Sequence, residues 1–314
     1  MSRLTESAAM IEREIEADLD KWETMIGAPE GLGGLPPGGT LIVFSREGVI
    51  KVRGERPAYY PLAVPAEVPP DERLLRAKDA EFTRKDLDAA IAAYREAAMS
   101  TGRTVRATAT AGLGRCLRAQ GKMADALAVY SELATMSEAV VDGVPAPVLA
   151  YHEREEIFVA MGDLTHGADE GDRLARYLAA RDVIIEKPAF ERFAEGLAPG
   201  RLPAEPLDRA RALFEMWPRL RDMASGRAVA RGGNSAYVAA WRAVDGDSHA
   251  VLAPVDVLMK RARDAADRLA VTIALEDATM ATVWGPAPTN ADHTSHSLDR
   301  IGLPVRLRLS FKEP

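Results

Sequence analysis

The chain has 314 residues, 47% of them hydrophobic, with 40 Lys and Arg against 47 Asp and Glu for a formal net charge of −7. This is enough chain for two or three domains with their own cores, and the acidic balance argues against nucleic acid, whose phosphates call for clustered positive charge. No run of about 18 apolar residues occurs, so no segment of this chain is expected to span a membrane.

The opening, Met1-Ser2-Arg3-Leu4-Thr5-Glu6, is charged at once and lacks the apolar region of a signal peptide. The expectation is either a cytosolic chain or one whose flanking membrane segments lie outside it. From 3 to 26 the apolar positions Leu4, Ala8, Ile11, Ile15, Leu19, Trp22 and Ile26 fall at helical spacing, with Glu and Asp opposite. The helix either packs on its own domain or pairs with a second copy in a homodimer. Glu12, Glu14 and Glu16 read as a solvated face rather than catalytic carboxylates. Residues 27–39 are rich in Gly and Pro and read as a linker. Thr40–Phe44 and Val49–Val52 flank a polar turn and predict a β-hairpin. Prolines from Pro57 to Pro70 predict an extended stretch at a domain boundary.

Two phrases then repeat with a 36-residue offset: Lys85-Asp86-Leu87 followed by Ala90, Ile91, Tyr94 and Ala97, and Gly121-Lys122-Met123 followed by Ala126, Leu127, Tyr130 and Leu133. A period in the mid-thirties predicts stacked helical hairpins that present a surface. Gly162-Asp163-Leu164 suggests a third unit, displaced by a loop at 141–147. Helices continue through 173–180, 189–195 and 207–223. Cys116, the one cysteine, lies inside a repeat helix and reads as a small buried hydrophobe; disulfides within the chain and cysteine-cluster metal sites are excluded.

The last 80 residues change character. Strands are predicted at 237–244, 249–253, 271–275, 281–284 and 305–311, the last alternating strictly, with a helix at 255–269 for which Asp256 is a plausible cap. The predicted organisation is an N-terminal helix (1–30), a hairpin and Pro-rich linker (31–70), a helical repeat domain (71–225) and a small antiparallel module (230–314). The fold class is α+β, mainly α. A single sheet joining the hairpin to the C-terminal strands would leave fewer exposed edges and make the repeats an insertion.

No nucleophile elbow, HExxH pair or phosphate-binding loop occurs, so the chain is not expected to be an enzyme, and neither a metal nor a cofactor is expected. His293 and His296 lie three apart beside Asp292, but the surrounding Pro, Thr and Ser predict a solvated loop rather than a zinc site. The candidate binding surface is the inner face of the hairpins. It comprises Leu75, Asp79 and Phe82, then Thr108, Ala111, Arg115 and Arg118, then His152, Glu156 and Val159. Arg115 and Arg118 have the spacing to grip a carboxylate, or to form interhelical ion pairs. Tyr237, Trp241 and Trp284 either line a small-molecule pocket or fill a core.

The phrases at 85–97 and 112–130 resemble tetratricopeptide (TPR) repeats, although Leu74 stands where that family often has Trp and no closing Pro follows Ala97 or Leu133. The order of elements resembles the extracytoplasmic sensor region of bacterial sensor histidine kinases, with TPR-like repeats set in a PAS/Cache-like module. That order is the helix at 3–26, Leu41–Gly48, the repeats, then Asp277 to Trp284-Gly285 before Gly302-Leu303-Pro304. The resemblance implies a periplasmic domain of a two-component system that senses an unknown small molecule or protein and signals along its N-terminal helix. It would meet the membrane only through segments absent from this chain. The alternative is a cytoplasmic TPR-type adaptor holding a partner's peptide.

Overall fold

The computed structural model describes residues 3–26, 34–62, 71–180, 184–197, 200–286 and 293–311. Ten α-helices and three antiparallel sheets are found among them, so the chain is α+β and mainly helical. Two units result: Met1–Val64 with Ala204–Pro314, and Pro65–Pro203. Much of the expected linkers, 27–33 and 63–70, lies outside the described residues.

In the first unit, helix α1 (Arg3–Ile26) buries its whole apolar stripe, from Leu4 to Ile26, to 7% exposure or less. The stripe packs with Leu258, Met259 and Ala262, and with Val238, Ala240, Val251 and Ala253. Each such side chain removed from water contributes about 1.5–3 kcal/mol, less for the alanines. The face that a homodimer-pairing helix would have presented is therefore used up inside its own unit. Its acidic side also departs from expectation. Instead of facing only solvent, Glu12 and Glu16 pair with Arg300, Glu14 and Asp18 with Arg261, and Asp20 and Glu23 with Arg227.

Strands β1 (Thr40–Ser45) and β2 (Gly48–Gly54) form the predicted hairpin. β1 then pairs antiparallel with a strand more than 200 residues later, Thr40 opposite Leu252 and Phe44 opposite Ser248. The helices of the second unit follow: α2 (Glu72–Lys78), α3 (Leu87–Ala98), α4 (Arg103–Ala119), α5 (Met123–Ala134), α6 (Ala146–Ala160), α7 (Leu164–Ala180) and α8 (Lys187–Ala194). Short strands β3 (Val140–Val141) and β4 (Val144–Pro145) interrupt them. The first unit resumes with α9 (Ala204–Asp222), β5 (Ser225–Arg231), β6 (Ala236–Val244), β7 (Asp247–Pro254), α10 (Val255–Arg268), β8 (Val271–Glu276), β9 (Thr282–Trp284), β10 (His293–Ser297) and β11 (Arg306–Phe311).

The larger sheet runs β2-β1-β7-β6-β5, so strands from before and after the helical segment share it. The last strand does not join them; β11 lies in a second sheet ordered β10-β11-β8-β9. Alternation along β6 divides the large sheet's two faces. Val238 and Ala240 lie in the core built on α1 and α10, while Tyr237 and Trp241 hydrogen-bond to Glu205 and Met223 at the two ends of the α9 segment. Phe44 of β1 meets Trp217 of α9 with ring centroids 5.0 Å apart. That packing places α9 in the first unit, so the expected helical domain of 71–225 is corrected to end near residue 203. Asp256 is likewise not the cap of α10: Pro254 holds that position, and the Asp256 carboxylate accepts from Arg263 and Trp284.

In the second unit, each helix from α2 to α6 packs on the next in sequence. The boundaries follow from capping chemistry. Asp71 accepts from the backbone N–H groups of Arg73 and Leu74, and Asp86 from that of Ala89. Beyond α4, Gly121 takes the left-handed conformation (φ 76°) that ends helices. One feature departs from the regular pattern: α2 runs into a π-turn, Asp79–Thr83, closed by the Arg84 N–H to the Asp79 carbonyl.

Candidate functional site

The hairpin face holds the first set of expected site residues. Glu81, in the π-turn, accepts from Arg115 Nε at 2.6 Å, Arg115 Nη2 at 2.8 Å and the Tyr94 hydroxyl at 2.6 Å. Burial pushes the Glu81 carboxyl up, but these donors outweigh it and hold it below the ordinary value. The same bonds raise Arg115. Its guanidinium lies over the Phe82 ring, 5.3 Å from the centroid. Arg118 donates to Glu153 at 2.8 Å and sits 3.7 Å from Glu156. The two-arginine grip is thus already filled by the chain's own carboxylates.

The rest of that face is mixed. Asp79 pairs with Arg84 at 2.9 Å. His152 meets Phe193 edge-on at 5.1 Å, and its burial lowers its pKa. Thr108 and Ala111, expected on the open face, are buried. Leu75 and Phe82 are 60% and 59% exposed, with Val159 also exposed.

The first unit contains a cleft of about 640 Å³. Glu16 and Glu23 of α1 form one wall, Arg219 and Met223 come from α9 and the residue after it, and Gly226 and Arg227 come from β5. Trp241 and Arg242 of β6 and Arg300, in the turn 299–302, complete it. Trp241 is only 2% exposed, packs on Gly226, and donates its indole N–H to the Met223 carbonyl at 3.0 Å. A Cβ at Gly226 would stand 2.6 Å from that ring, so glycine is required there. Arg227 donates to Glu23 at 2.6 Å, to Asp20 at 2.8 Å and to the Ile301 carbonyl at 2.8 Å. Burial alone would lower its pKa, yet those carboxylates raise it. Arg219 and Arg242 are exposed and have no ion-pair partner among the described residues.

The three expected aromatics do not form one pocket. Trp241 lines the large cleft. Tyr237 is core, fully buried, with its hydroxyl donating to the Glu205 carbonyl at 3.3 Å. Trp284 donates to Asp256 at 2.9 Å and borders a smaller cleft of about 390 Å³ with Arg263 and Thr272. His293 and His296 lie on strand β10, where a loop was expected. An offset of three on a strand sends their side chains to opposite faces, where His293 meets Arg308 and His296 meets Glu12 at 2.9 Å. Among the described residues no group of three or more His, Cys, Asp or Glu is placed to hold a metal ion, and no helix is long and apolar enough to cross a membrane.

The sequence reading missed Arg219, Arg227, Arg242 and Arg300. Its only local signal was Arg242, directly beside Trp241. Compared with known proteins, the chain matches no family model, no curated protein and no solved structure.

Proposed function

We propose that this chain is a sensor module of the type found outside the membrane in bacterial two-component histidine kinases: a PAS/Cache-like unit carrying TPR-like helical hairpins as an insertion. Numbering only the strands of the large sheet, its order is 2-1-5-4-3, with the hairpins entering between the second and third strands. That order and that insertion point support the reading.

The observation that carries it is the position of α1 as a wall of the cleft. Asp20 and Glu23 on this 24-residue helix hold Arg227, whose side chain lines the same cavity. A ligand engaging Arg227 competes with those ion pairs, and so favours one set of α1 contacts over another. A difference in affinity between two states is what a signal requires. In this reading the chain works by binding, and no covalent step is part of it.

The adaptor reading keeps one observation in its favour, the exposed Leu75 and Phe82 with Arg115 beside them. A thermal-shift screen of the whole chain against small molecules and peptides separates the two. Sensing predicts a small-molecule hit that slows amide exchange in α1, β5 and β6. A peptide protecting α2 to α6, with no small-molecule hit, contradicts sensing and supports the adaptor.

A further inference from the structure

We propose that the cleft beside Trp241 is a site for a small organic anion, held by Arg219 and Arg242. Four guanidinium groups line one cavity of a chain whose net charge is −7. An arginine cannot shed its charge at any ordinary pH, so each must find an anion or stay in water. Two are matched inside the protein: Arg227 by Asp20 and Glu23, Arg300 by Glu12 and Glu16. The other two are not matched among the described residues, and they reach the cavity from separate elements, α9 and β6. In the sheet, Arg242 stands opposite Ser225 on one side and His249 on the other, neither of them acidic.

The remaining lining sets the character of the ligand. Glu16 and Glu23 are taken up by Arg300 and Arg227, while Met223 and Pro304, with the edges of Trp241 and Ile301, give an apolar wall, which a bare inorganic ion would leave unused. At about 640 Å³ the cavity falls within the range of small-molecule sites, roughly 300–1,000 Å³. Two guanidinium forks beside an apolar wall match a carboxylate or phosphate ester with an organic body, because either oxyanion accepts two parallel N–H bonds from one arginine. Arg227 reaches the same cavity with its guanidinium held by Glu23, Asp20 and the Ile301 carbonyl, and a bound anion competes for it with those partners.

The inference deepens the sensing reading and rests on it for its biological meaning. It is tested by calorimetric titration of the full chain with citrate, benzoate, phenyl phosphate and inorganic phosphate, with benzamide as the neutral control. At least one organic anion is expected to bind and benzamide not to, and the ranking of benzoate against phenyl phosphate identifies the head group. The R219Q/R242Q variant changes two exposed side chains, and unchanged tryptophan emission verifies its fold. It should weaken binding at least about tenfold. No binding by any probe up to about 10 mM, equal binding by benzamide, or unaltered affinity in the variant overturns the site. Anion binding that leaves exchange in α1 unchanged upholds the site and contradicts signalling through that helix.

Discussion

The Tyr94 ring occupies the space that a side chain on Gly112 would need: a Cβ there would stand 2.4 Å from the ring's Cζ. Two residues along the same helix, Gly114 stands in the same relation to Tyr130, at 2.7 Å. The 36-residue repeat in the sequence is therefore a repeat in packing, with a tyrosine from each flanking helix, α3 before and α5 after, seated on a glycine of α4. Gly→Ala inside an ordinary helix stabilises by up to about 1 kcal/mol. Here Gly112→Ala is expected to destabilise by about 1–3 kcal/mol, because the ring has to move. Urea melts of Gly112→Ala, Tyr94→Leu and the double variant check this. The double should recover part of the loss, and strictly additive losses would contradict the contact.

Glu81 ties Arg115 and Tyr94 together, and its carboxyl titrates below the ordinary value. A group depressed in this way stabilises the fold fully above its unfolded value, about 4.5, and the contribution fades as the pH drops through the lower folded value. Glu81→Gln is expected to lower stability at pH 7 and to flatten its decline below pH 4.5. Denaturant melts across that range give both quantities.

His152 predicts the opposite end of the mildly acidic window. Burial lowers its folded pKa beneath 6.5, so the unfolded chain takes up the proton first. The stability owed to neutral His152 is complete above about 6.5 and is lost as the pH falls toward the folded value. His152→Phe, which keeps a ring against Phe193, should remove that slope. An unchanged profile between pH 7 and 5 would show that burial does not govern this residue.

Arg227 anchors the C-terminal half of α1. Arg227→Met keeps most of the buried stem and removes three hydrogen bonds. The carboxylates it leaves behind are half-exposed and find water, so the cost should be modest, about 1–2 kcal/mol. Faster amide exchange confined to residues 16–26 is the expected signature. Exchange rising equally over the whole chain would argue against a local anchor.

Helical regularity made much of the fold readable. The stripe from Leu4 to Ile26 and the phrases ending at Tyr94 and Tyr130 each have one period and one buried face. Where pattern and burial part company, the reading failed. β5 reads Ser-Gly-Arg-Ala-Val-Ala-Arg, too short of large apolar residues to announce a strand, and β10 is a wholly polar edge strand whose pairing comes from β11. α9 is amphipathic with one buried face, as the repeat helices are, and only its contacts with Phe44 and the sheet assign it to the other unit. Among candidate site residues, Tyr237, Trp241 and Trp284 read as either pocket or core, and Arg115 and Arg118 as either grip or ion pair. The cleft arginines were not foreseen, because Arg219, Arg227, Arg242 and Arg300 come from four segments that the chain brings together only on folding.

The central claim is that the two ends of the chain make one body, with the helical hairpins inserted. The Ala58 N–H donates to the Pro206 carbonyl at 3.0 Å, so the two strands of chain flanking the insertion are neighbours. All four tryptophans, Trp22, Trp217, Trp241 and Trp284, lie outside the insertion and report on that body alone. The most direct measurement replaces residues 63–203 by a short Gly–Ser linker and follows unfolding by tryptophan emission. A single cooperative transition from a blue-shifted, buried emission is predicted. Emission already at the solvent-exposed position, with no transition, would contradict the account.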